Sequence, residues 1–440
     1  MAKPNLLRRI GPAFIVGATV IGPGSVTLMS TTGAKYGYAL VWLSLASGAM
    51  MAGFLALFMR FGIYCDDTFL GLTAKKLGRW YAVLCGFAVF AMCAAFQFGN
   101  SIGVAAGTEA ILGSVSPYAW PVVFTLAAIV FLFGFKVIYF IIEKMMVFFL
   151  VLMAVAFLIN LVWVGPNLPA LLRGACVPTL PEDVNWVTLG GLVGTTFIIA
   201  SAFFQSYLVK AKGWTEQDLG RGIADTVMAS CVLTLIGAMI MTTAAAVLYP
   251  HQGDVNFGVM ISQLDVAFGG YAKLIFSIGF WAAAFSSFIT NSLAGGVMLG
   301  DGLGLGGKID ATSTKVLATA VLLIGMATSL VIIHNDRAAE AAAQQAAATG
   351  TEDAAAPEGR KTIDLRVAAI RVGQASTMLA VPLGAIAMVA VLFDERAVKG
   401  RRLSPAVKVF VLFGCAVLLT IGGLMYFTIK PQLMMILGFD

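Results

Sequence analysis

The chain has 440 residues, of which 60% are hydrophobic and only 11% are charged, whereas soluble domains are nearer a quarter charged. This composition excludes an ordinary soluble protein and predicts one that crosses a membrane several times. The net charge of +6 needs no nucleic acid to explain it, because basic loops on one membrane face account for it.

The first apolar segment, 11–33, is interrupted in its middle by the sequence IGPGS at 21–25. Proline has no N–H to donate and clashes with the preceding turn, while glycine lacks the side chain that favours helix. Lipid cannot satisfy the backbone groups that such a break exposes, so breaks at mid-membrane line a cavity. Many secondary transporters build their substrate site from paired broken helices, although a plain proline kink would leave the same pattern.

Eleven apolar segments have the length needed to cross a bilayer. With a cytoplasmic N terminus, the inner segments carry most of the Lys and Arg residues, for example Lys75, Lys76 and Arg79 after the second span. The positive-inside rule therefore predicts this orientation and an odd number of spans. In chain order the spans are 11–33, 38–62, 80–112, 117–136, 138–164, 187–209, 222–249, 265–299, 313–333, 368–393 and 405–429.

The segment 334–367 differs in composition from the rest of the chain. It is rich in alanine, has no apolar stripe, and holds four Lys/Arg residues against six Asp/Glu residues. This composition predicts a partly helical or disordered outer loop that carries no chemistry.

A short internal match links the first and sixth spans. Residues 16–21, VGATVI, and 193–198, VGTTFI, are identical at four of six positions. The two spans are the first helices of two five-helix halves, which is the placement expected for an inverted repeat. We therefore predict a single membrane domain over 1–440, with repeat one at 11–164, repeat two at 187–393 and an extra helix at 405–429.

The sixth span contains no proline, and its candidate break is 197–201. Three glycines precede this stretch, and a run of β-branched residues beside it resists a tight helix. An ordinary helix that uses small residues for close packing would have the same sequence. We predict that the span unwinds, because the first span is broken.

Uncharged polar side chains inside the spans supply a candidate transport pathway. Gln97 and Asn100 lie three residues apart on one face of the third span. On the sixth span, Ser201 and Gln205 share a face. Two further amides, able to join helices by hydrogen bonds, are Asn291 and Gln374.

Charged side chains inside spans are costly and usually functional. Four charged residues lie near the ends of spans: Glu109, Glu143, Lys144 and Asp225. Each could be a functional group or an anchor for a helix end. We favour the anchor interpretation for Glu109 and Lys144. The sequence contains no His/Cys/Asp cluster, phosphate-binding loop or catalytic triad, so we expect neither an enzyme nor a bound cofactor.

Several stretches of the sequence resemble the natural resistance-associated macrophage protein (Nramp) family, proton-coupled carriers of divalent transition metals. The resemblance implies an all-α membrane protein of the LeuT-type fold. This fold has two inverted five-helix repeats plus an eleventh helix, with helices 1 and 6 discontinuous. The similar stretches are 11–37, 142–157, 166–181, 276–295, 373–382 and 394–400.

The sequence departs from this family at the residues that bind metal and move protons. The resemblance implies Asp and Asn ligands at the first break, where Gly22 and Ser25 stand. It implies Met and His at the sixth-helix break, where Ile198 and Ala200 stand. The resemblance implies two acids on the third helix, where Gln97 and Asn100 stand. The family's candidate ligand on the tenth helix is retained as Gln374.

The implied site therefore offers a divalent ion hydroxyls, carbonyls and amides, with no carboxylate and no thioether. The sequence assigns no metal ligand within it. The candidate substrate-binding residues are Gly22, Pro23, Ser25, Thr195, Ile198, Ser201 and Gln374. The candidate pathway residues are Gln97, Asn100, Gln205 and Asn291.

The leading functional hypothesis is an Nramp-like secondary transporter, multi-pass in the cell membrane, with its N terminus in the cytoplasm. Divalent cation transport is the family-level expectation, and the variant site suits a partly hydrated ion such as Mg²⁺. One alternative is a carrier of a neutral or zwitterionic organic solute, held by backbone groups and helix dipoles at the breaks. Another is a non-transporting membrane receptor. We expect a monomer whose partners are a small solute or cation and the lipid bilayer, with no nucleic acid.

Overall fold

The computed structural model of the protein describes residues 11–113, 116, 118–134, 138–184, 186–251, 255–349, 370, 373–374, 376–394 and 403–437. All regular secondary structure in these residues is helical. The first helices are α1 (Pro12–Val20), α2 (Pro23–Tyr36), α3 (Val41–Tyr64), α4 (Phe69–Leu77), α5 (Arg79–Leu112), α6 (Ala119–Gly134), α7 (Ile138–Val164), α8 (Leu168–Cys176) and α9 (Trp186–Thr196). They are followed by α10 (Ile199–Lys212), α11 (Leu219–Leu248), α12 (Phe257–Ser262), α13 (Asp265–Phe268), α14 (Ala272–Gly302), α15 (Thr312–Thr349), α16 (Val381–Leu392) and α17 (Pro405–Leu437).

The first predicted span forms two helices, α1 and α2, joined by Ile21 and Gly22 in extended conformation. Pro23 occupies the start of α2, where its missing N–H costs nothing and its fixed φ suits a helix. The break is therefore two residues long, shorter than the predicted 21–25, and Ser25 is helical.

The sixth predicted span is also divided, into α9 and α10, by Phe197 and Ile198. Ile198 is extended, and its carbonyl accepts hydrogen bonds from the N–H groups of Ser201 at 3.0 Å and Ala202 at 3.2 Å. The helix therefore restarts at once. The predicted break, 197–201, is three residues longer than the observed one, because α10 begins at Ile199 and includes Ser201. The prediction that helices 1 and 6 are discontinuous is confirmed.

The other predicted spans correspond to long or apolar helices. Three shorter apolar helices are Ala119–Gly134, Val151–Val164 and Val381–Leu392. In the described residues, seven helical segments are long and apolar enough to cross a membrane: Val41–Tyr64, Arg79–Leu112, Trp186–Lys212, Glu216–Leu248, Asp265–Gly302, Thr312–Ala338 and Pro405–Leu424. These ten segments and the divided first span correspond to the eleven predicted spans.

The helices at the periphery expose large apolar side chains. Val130 of α6 is 70% exposed and Val162 of α7 is 71% exposed. In water such surfaces would be unfavourable, whereas lipid tails accept them. The all-α membrane architecture predicted from composition is thereby confirmed.

Helices α5 and α14 form the most extensive contact in the described part of the bundle. Glycines on both helices allow their backbones to approach closely. A Cβ on Gly86 would lie 2.7 Å from the Met298 carbonyl oxygen, and one on Gly295 would lie 2.9 Å from Cys93 Cβ. Small residues let helix backbones approach in this way inside membranes. Both halves of the broken first span pack against α14, so this contact supports the first break.

Two regions differ from simple spans. The tenth predicted span, 368–393, contains a 3-10 segment, Ser376–Ala380, before α16, and Pro382 lies in the first turn of α16. Tight segments of this kind often mark functional hinges.

The ninth span is longer than predicted. Helix α15 continues to Thr349, beyond the predicted end at 333, so the first part of the segment 334–367 is helical. Its remaining residues, 350–367, lie outside the described residues.

Candidate functional site

Ser25, in the first turn of α2, joins the two broken helices. Its hydroxyl contacts the Val20 carbonyl at the end of α1 and lies 2.6 Å from the Thr195 hydroxyl in α9. Both hydroxyl residues are buried. They connect the unpaired carbonyl end of α1 to α9 without a charged group.

Gln374 packs directly on Gly24, the residue between Pro23 and Ser25. A Cβ at position 24 would overlap the Gln374 side chain, so the contact requires glycine. Gln374 is 2% exposed, and its Oε1 has no hydrogen-bond partner in the part of the chain that the structure describes. A buried acceptor without a donor is costly, and it needs an explanation such as a water or an ion.

Thr377 and Met378 of the 3-10 segment close the site on the side of α9. Thr377 Oγ1 lies 2.8 Å from the Gln374 carbonyl oxygen and 3.3 Å from that of Gly194. The Met378 methyl carbon would lie 3.0 Å from a Cβ on Gly194. Met378 therefore presents its methyl group to α9. Sequence reasoning missed both residues, because they look like ordinary members of an apolar span.

A small cavity of about 10 Å³ lies between α1, α5, α10 and α14, close to the volume that one water needs. Its polar lining comes from Thr19, Ser201 and Asn291, and Ile198 adds apolar surface. Thr19 Oγ1 lies 2.8 Å from Ser201 Oγ, which joins α1 to α10. The predicted site residues Ile198 and Ser201 thus line this cavity, separate from the pair of hydroxyls at the breaks.

The predicted pathway amides Gln97, Asn100 and Asn291 form one buried cluster between α5 and α14. Asn291 Nδ2 donates to the Cys93 carbonyl at 2.7 Å and to Gln97 Oε1 at 3.2 Å. Asn100 Nδ2 donates to the same Gln97 oxygen at 3.3 Å. The structure therefore brings three of the four predicted pathway residues together.

Gly22 faces this cluster rather than the hydroxyl pair. A Cβ on Gly22 would lie 2.8 Å from Ser287 Oγ and 3.3 Å from Asn100 Oδ1. Ser287 Oγ donates to the Ile21 carbonyl at 3.1 Å. The first break therefore has two polar sides, one toward α9 and one toward α5 and α14. Pro23, the first residue of α2, packs against α5, where a Cβ on Gly103 would overlap its ring.

Gln205, the fourth predicted pathway residue, lies one turn beyond Ser201 in α10. It is fully buried, and neither of its side-chain polar atoms has a hydrogen-bond partner among the residues that the structure describes. This glutamine lies within packed protein and not in an open channel, so the described structure is closed at this point.

We name the two ends of the bundle after the short helices that lie there, the α4 end and the α12 end. At the α4 end, Asp225 of α11 accepts hydrogen bonds from the N–H groups of Gly11 at 2.7 Å and Ala13 at 3.0 Å. Asp225 is 1% exposed. It is therefore a helix-end anchor, but for the N terminus of α1 and not for its own helix.

A second buried carboxylate joins three further elements at the α4 end. Asp301, near the end of α14, accepts from the Tyr207 hydroxyl of α10 at 2.6 Å and from the Thr68 hydroxyl, which caps α4, at 2.9 Å. The Tyr207 oxygen in turn accepts from the Leu70 N–H at 3.2 Å. Sequence reasoning missed this network, because its members are far apart in the chain.

The α12 end contains a much larger cavity of about 340 Å³. Its apolar lining includes Phe257 of α12 and Phe280 of α14, whose rings meet edge to face at 5.1 Å. Glu109 and Lys273 supply one acid and one base. This cavity and the closed α4 end make the bundle asymmetric along its long axis.

The donor chemistry of the site is uniform. The described residues contain no group of three or more His, Cys, Asp or Glu side chains that could hold a metal ion. The oxygen atoms at the breaks are neutral and come from hydroxyls, main-chain carbonyls and amides, while the Gln374 side chain presents its Nε2 to Gly24. Such a set can bind a cation by its oxygens, or it can hydrogen-bond to a neutral solute.

Comparison with known proteins agrees with this architecture. The divalent metal cation transporter MntH of Pectobacterium carotovorum subsp. carotovorum (strain PC1) is 26% identical over 355 residues, covering 74% of this chain and 84% of that protein. A mutant of the Eremococcus coleocola manganese transporter superposes with a TM-score of 0.77 at 16% identity, covering 98% of this chain and 87% of that one.

A nucleobase-cation-symport-1 family transporter, solved in a closed conformation, superposes with a TM-score of 0.54 at 16% identity, covering 97% of this chain and 92% of that one. At such identities the structural likenesses show the fold alone, which is that of the Nramp and LeuT-type transporters. The family model described as natural resistance-associated macrophage protein-like matches residues 13–350. The chain therefore belongs to the Nramp family.

Proposed function

We propose that the protein is a secondary transporter of divalent cations that binds its substrate at the paired helix breaks through neutral oxygen atoms. The observation that carries the proposal is the buried side chain of Gln374, which packs on Gly24 beside the Ser25–Thr195 pair and whose Oε1 has no hydrogen-bond partner among the described residues. An oxygen left without a donor at this position suits a cation ligand.

Mg²⁺ fits this set of oxygens best. It prefers oxygen ligands and keeps several of its waters, so it needs fewer contacts from the protein than an ion that is fully dehydrated. Softer transition metals gain from thioether and imidazole ligands, and the breaks present Gly22 and Ile198 where the family resemblance implies Asp and Met. The substrate preference therefore differs from the manganese named for the Eremococcus coleocola protein.

Uptake of Mg²⁺ into liposomes with the purified protein tests the proposal. Thr195→Val removes the hydroxyl that meets Ser25 and should lower kcat/KM at least tenfold, or about 1.4 kcal/mol. Thr196→Val is the matched control, because its hydroxyl donates to the Leu192 carbonyl of its own helix, at 3.2 Å. Equal activity of the two variants would remove the hydroxyl pair from the substrate site. No uptake of any solute would favour the receptor alternative.

A second substitution tests whether the close contact between Gly24 and Gln374 is needed for transport. Gly24→Ala would place a methyl group inside the Gln374 side chain and should abolish uptake. Gly220→Ala in α11 meets no atom within 4 Å and should leave uptake unchanged. Uptake by the Gly24 variant at the wild-type rate would show that Gln374 does not take part.

Binding of Mn²⁺ gives an independent test. We expect no specific Mn²⁺ binding at micromolar concentration, which would require about −8 kcal/mol from neutral ligands. Introducing ligands as Gly22→Asp, Ser25→Asn and Ile198→Met should create such binding only together with Ser287→Ala, because the new Cβ would lie 2.8 Å from the Ser287 oxygen. Micromolar Mn²⁺ binding by the unmodified protein would contradict the proposed substrate preference.

The predicted orientation places the α4 end, with Lys75, Lys76 and Arg79, in the cytoplasm of the cell and the loop after α7 outside. Cys176 at the end of α8 is exposed and reports on that loop. A membrane-impermeant maleimide should label intact cells expressing the protein, and Cys176→Ala should abolish the labelling. Labelling only after permeabilisation would show that the protein has the opposite orientation in the membrane.

The cavity at the α12 end favours one alternative, a carrier of a zwitterionic organic solute. Its volume of about 340 Å³ and its aromatic lining suit a small molecule. Glu109 and Lys273 could pair with the positive and negative groups of a zwitterion. A thermal-shift screen of amino acids separates the two functions. Stabilisation by an amino acid, with no effect of Mg²⁺, would favour this alternative over the cation proposal.

A further inference from the structure

Helix α8, the short helix after α7, has one buried side and one exposed apolar side. Gly174 is buried. Leu168 and Leu172, each 63% exposed, lie one turn apart on the other side of the helix. The Asn167 side chain caps the first turn by accepting a hydrogen bond from the Ala170 N–H at 3.1 Å. The two leucines are therefore held on a defined helix and point away from the bundle.

These leucines adjoin the apolar surface at the end of α7. That helix ends at Val164, and its last turn exposes Val162 by 71% and Trp163 by 68%. Tryptophan is enriched where a membrane span meets water, so the end of α7 marks the level of the membrane interface. Helix α8 begins just beyond this level, at Leu168. Arg173 is exposed beside the leucines, where its guanidinium can reach lipid phosphates while its stem covers apolar surface.

Helix α8 and the residues after it also hold the turn between α2 and α3. A Cβ on Gly174 would overlap the Tyr38 carbonyl oxygen, so the helix rests directly on this turn. Trp42 Nε1 donates to the Thr179 carbonyl at 3.0 Å, and the Thr179 hydroxyl donates to the Ala39 carbonyl at 3.3 Å. Helix α2 begins at the first break and ends at this turn. The position of α8 therefore fixes the far end of α2.

We propose that α8 lies in the plane of the membrane interface at the α12 end, with its leucines among the lipid acyl chains, and that it anchors the end of α2 to the bilayer. The turn lies at the α12 end because Ser30 of α2 meets Gln263, which follows α12. The bilayer covers the leucines rather than a second copy of the chain, because they adjoin the surface of α7 that lipid covers. Helices with one apolar and one basic side lie in the interface in this way.

This anchor makes the bilayer a partner of the first break. A change in bilayer thickness moves the interface relative to the spans, and α8 passes that movement to α2. The location of α8 does not depend on which solute the protein carries. Neither test below involves transport or Mg²⁺, so their failure is distinct from failure of the cation proposal.

Spin labels on α8 in reconstituted membranes test its location. Leu172→Cys and Arg173→Cys are labelled separately with a nitroxide, in protein whose exposed Cys176 and Cys231 are replaced by alanine. We expect the label at 172 to lie about 5–10 Å below the lipid phosphates, accessible to oxygen and shielded from a neutral water-soluble nickel chelate. The label at 173 is the matched control and should remain accessible to nickel. Access of nickel to both labels would place α8 in water, and low access of both reagents at 172 would place a second copy on the leucines. Either result would overturn the proposal.

Hydrogen–deuterium exchange in the same membranes tests the connection to α2. Leu172→Ser weakens the insertion of α8, so exchange of residues 33–40 should become about tenfold faster. Leu112→Ser is the matched control, because Leu112 is 65% exposed at the end of another helix, α5, and it should leave this exchange unchanged. Leu168→Ser repeats the test on the other leucine, and it decides if the first variant does not fold. Exchange at the wild-type rate in a folded variant would contradict the anchoring of α2.

Discussion

The two ends of the bundle are held together by different kinds of contact. At the α4 end, the buried carboxylates of Asp225 and Asp301 accept hydrogen bonds from elements that are distant in the chain. At the α12 end, the comparable contact is neutral: Gln263 Nε2 donates to the Ser30 hydroxyl of α2 at 3.1 Å. The large cavity lies at this second end.

Hydrogen bonds to charged groups are roughly twice as strong as neutral ones. The α4 end is therefore the more firmly closed of the two in this conformation. For a transporter that alternates between two openings, the contacts of the α4 end are those that must break when that end opens. Substitutions at the two ends test this difference.

The largest effect is expected from Asp225→Ala. It leaves the N–H groups of Gly11 and Ala13 without their acceptor and should destabilise the closed α4 end by about 3 kcal/mol. Hydrogen–deuterium exchange of residues 11–20 should become faster. Asp218→Ala, which removes the capping box of a short surface turn and an exposed ion pair with Arg221, is the control. Equal exchange in both variants would contradict the anchoring role.

A smaller effect is expected from Tyr207→Phe. The change removes one donor to Asp301 and the acceptor of the Leu70 N–H, at a cost of about 2 kcal/mol. We expect a lower Tm and easier opening of the α4 end. Tyr271→Phe, at a residue 73% exposed, should leave Tm unchanged. A Tyr207 variant as stable as wild type would show that the Asp301 network is not important for closure.

The smallest effects are expected from two buried glutamines, with opposite signs. Gln205→Leu removes a side chain whose polar atoms have no partners in the described residues, so it should stabilise the closed form by about 1 kcal/mol and slow transport. Gln263→Leu breaks the contact with Ser30 and should destabilise the α12 end by a similar amount. Shifts of Tm in the same direction would remove the distinction between the ends.

Local chemistry explains which parts of this structure could be predicted from the sequence. Pro23 and its flanking glycines act on their own backbone, so the first break was located to within three residues. The second break was predicted too long, because β-branched residues weaken a helix without stopping it and Ile199 resumes it. The pairing of Asp225 with Gly11 joins residues 214 positions apart, and no local pattern reports such a contact.

The candidate site shows the same limit. Gln374 was predicted from the family resemblance, but its overlap with a Cβ at Gly24 depends on how the 3-10 segment packs. The role of Ser287 was not predicted, because a serine in an apolar span gives no sign of which helix it faces. The sequence therefore indicates which polar residues belong to the site, whereas the direction in which each side chain points depends on how the helices pack.

The amides of Gln97, Asn100 and Asn291 also limit how the acidity of this region can change during evolution. Within the described residues, Gln97 acts as an acceptor for Asn100 and Asn291 and its Nε2 has no partner. A glutamate at position 97 would therefore keep both hydrogen bonds. An aspartate at 100 would oppose its carboxylate to the Gln97 oxygen, and one at 291 would oppose it to the Cys93 carbonyl. We expect a lineage that regains ionisable groups here to acquire the first at position 97, and a lineage that loses them to lose that one last.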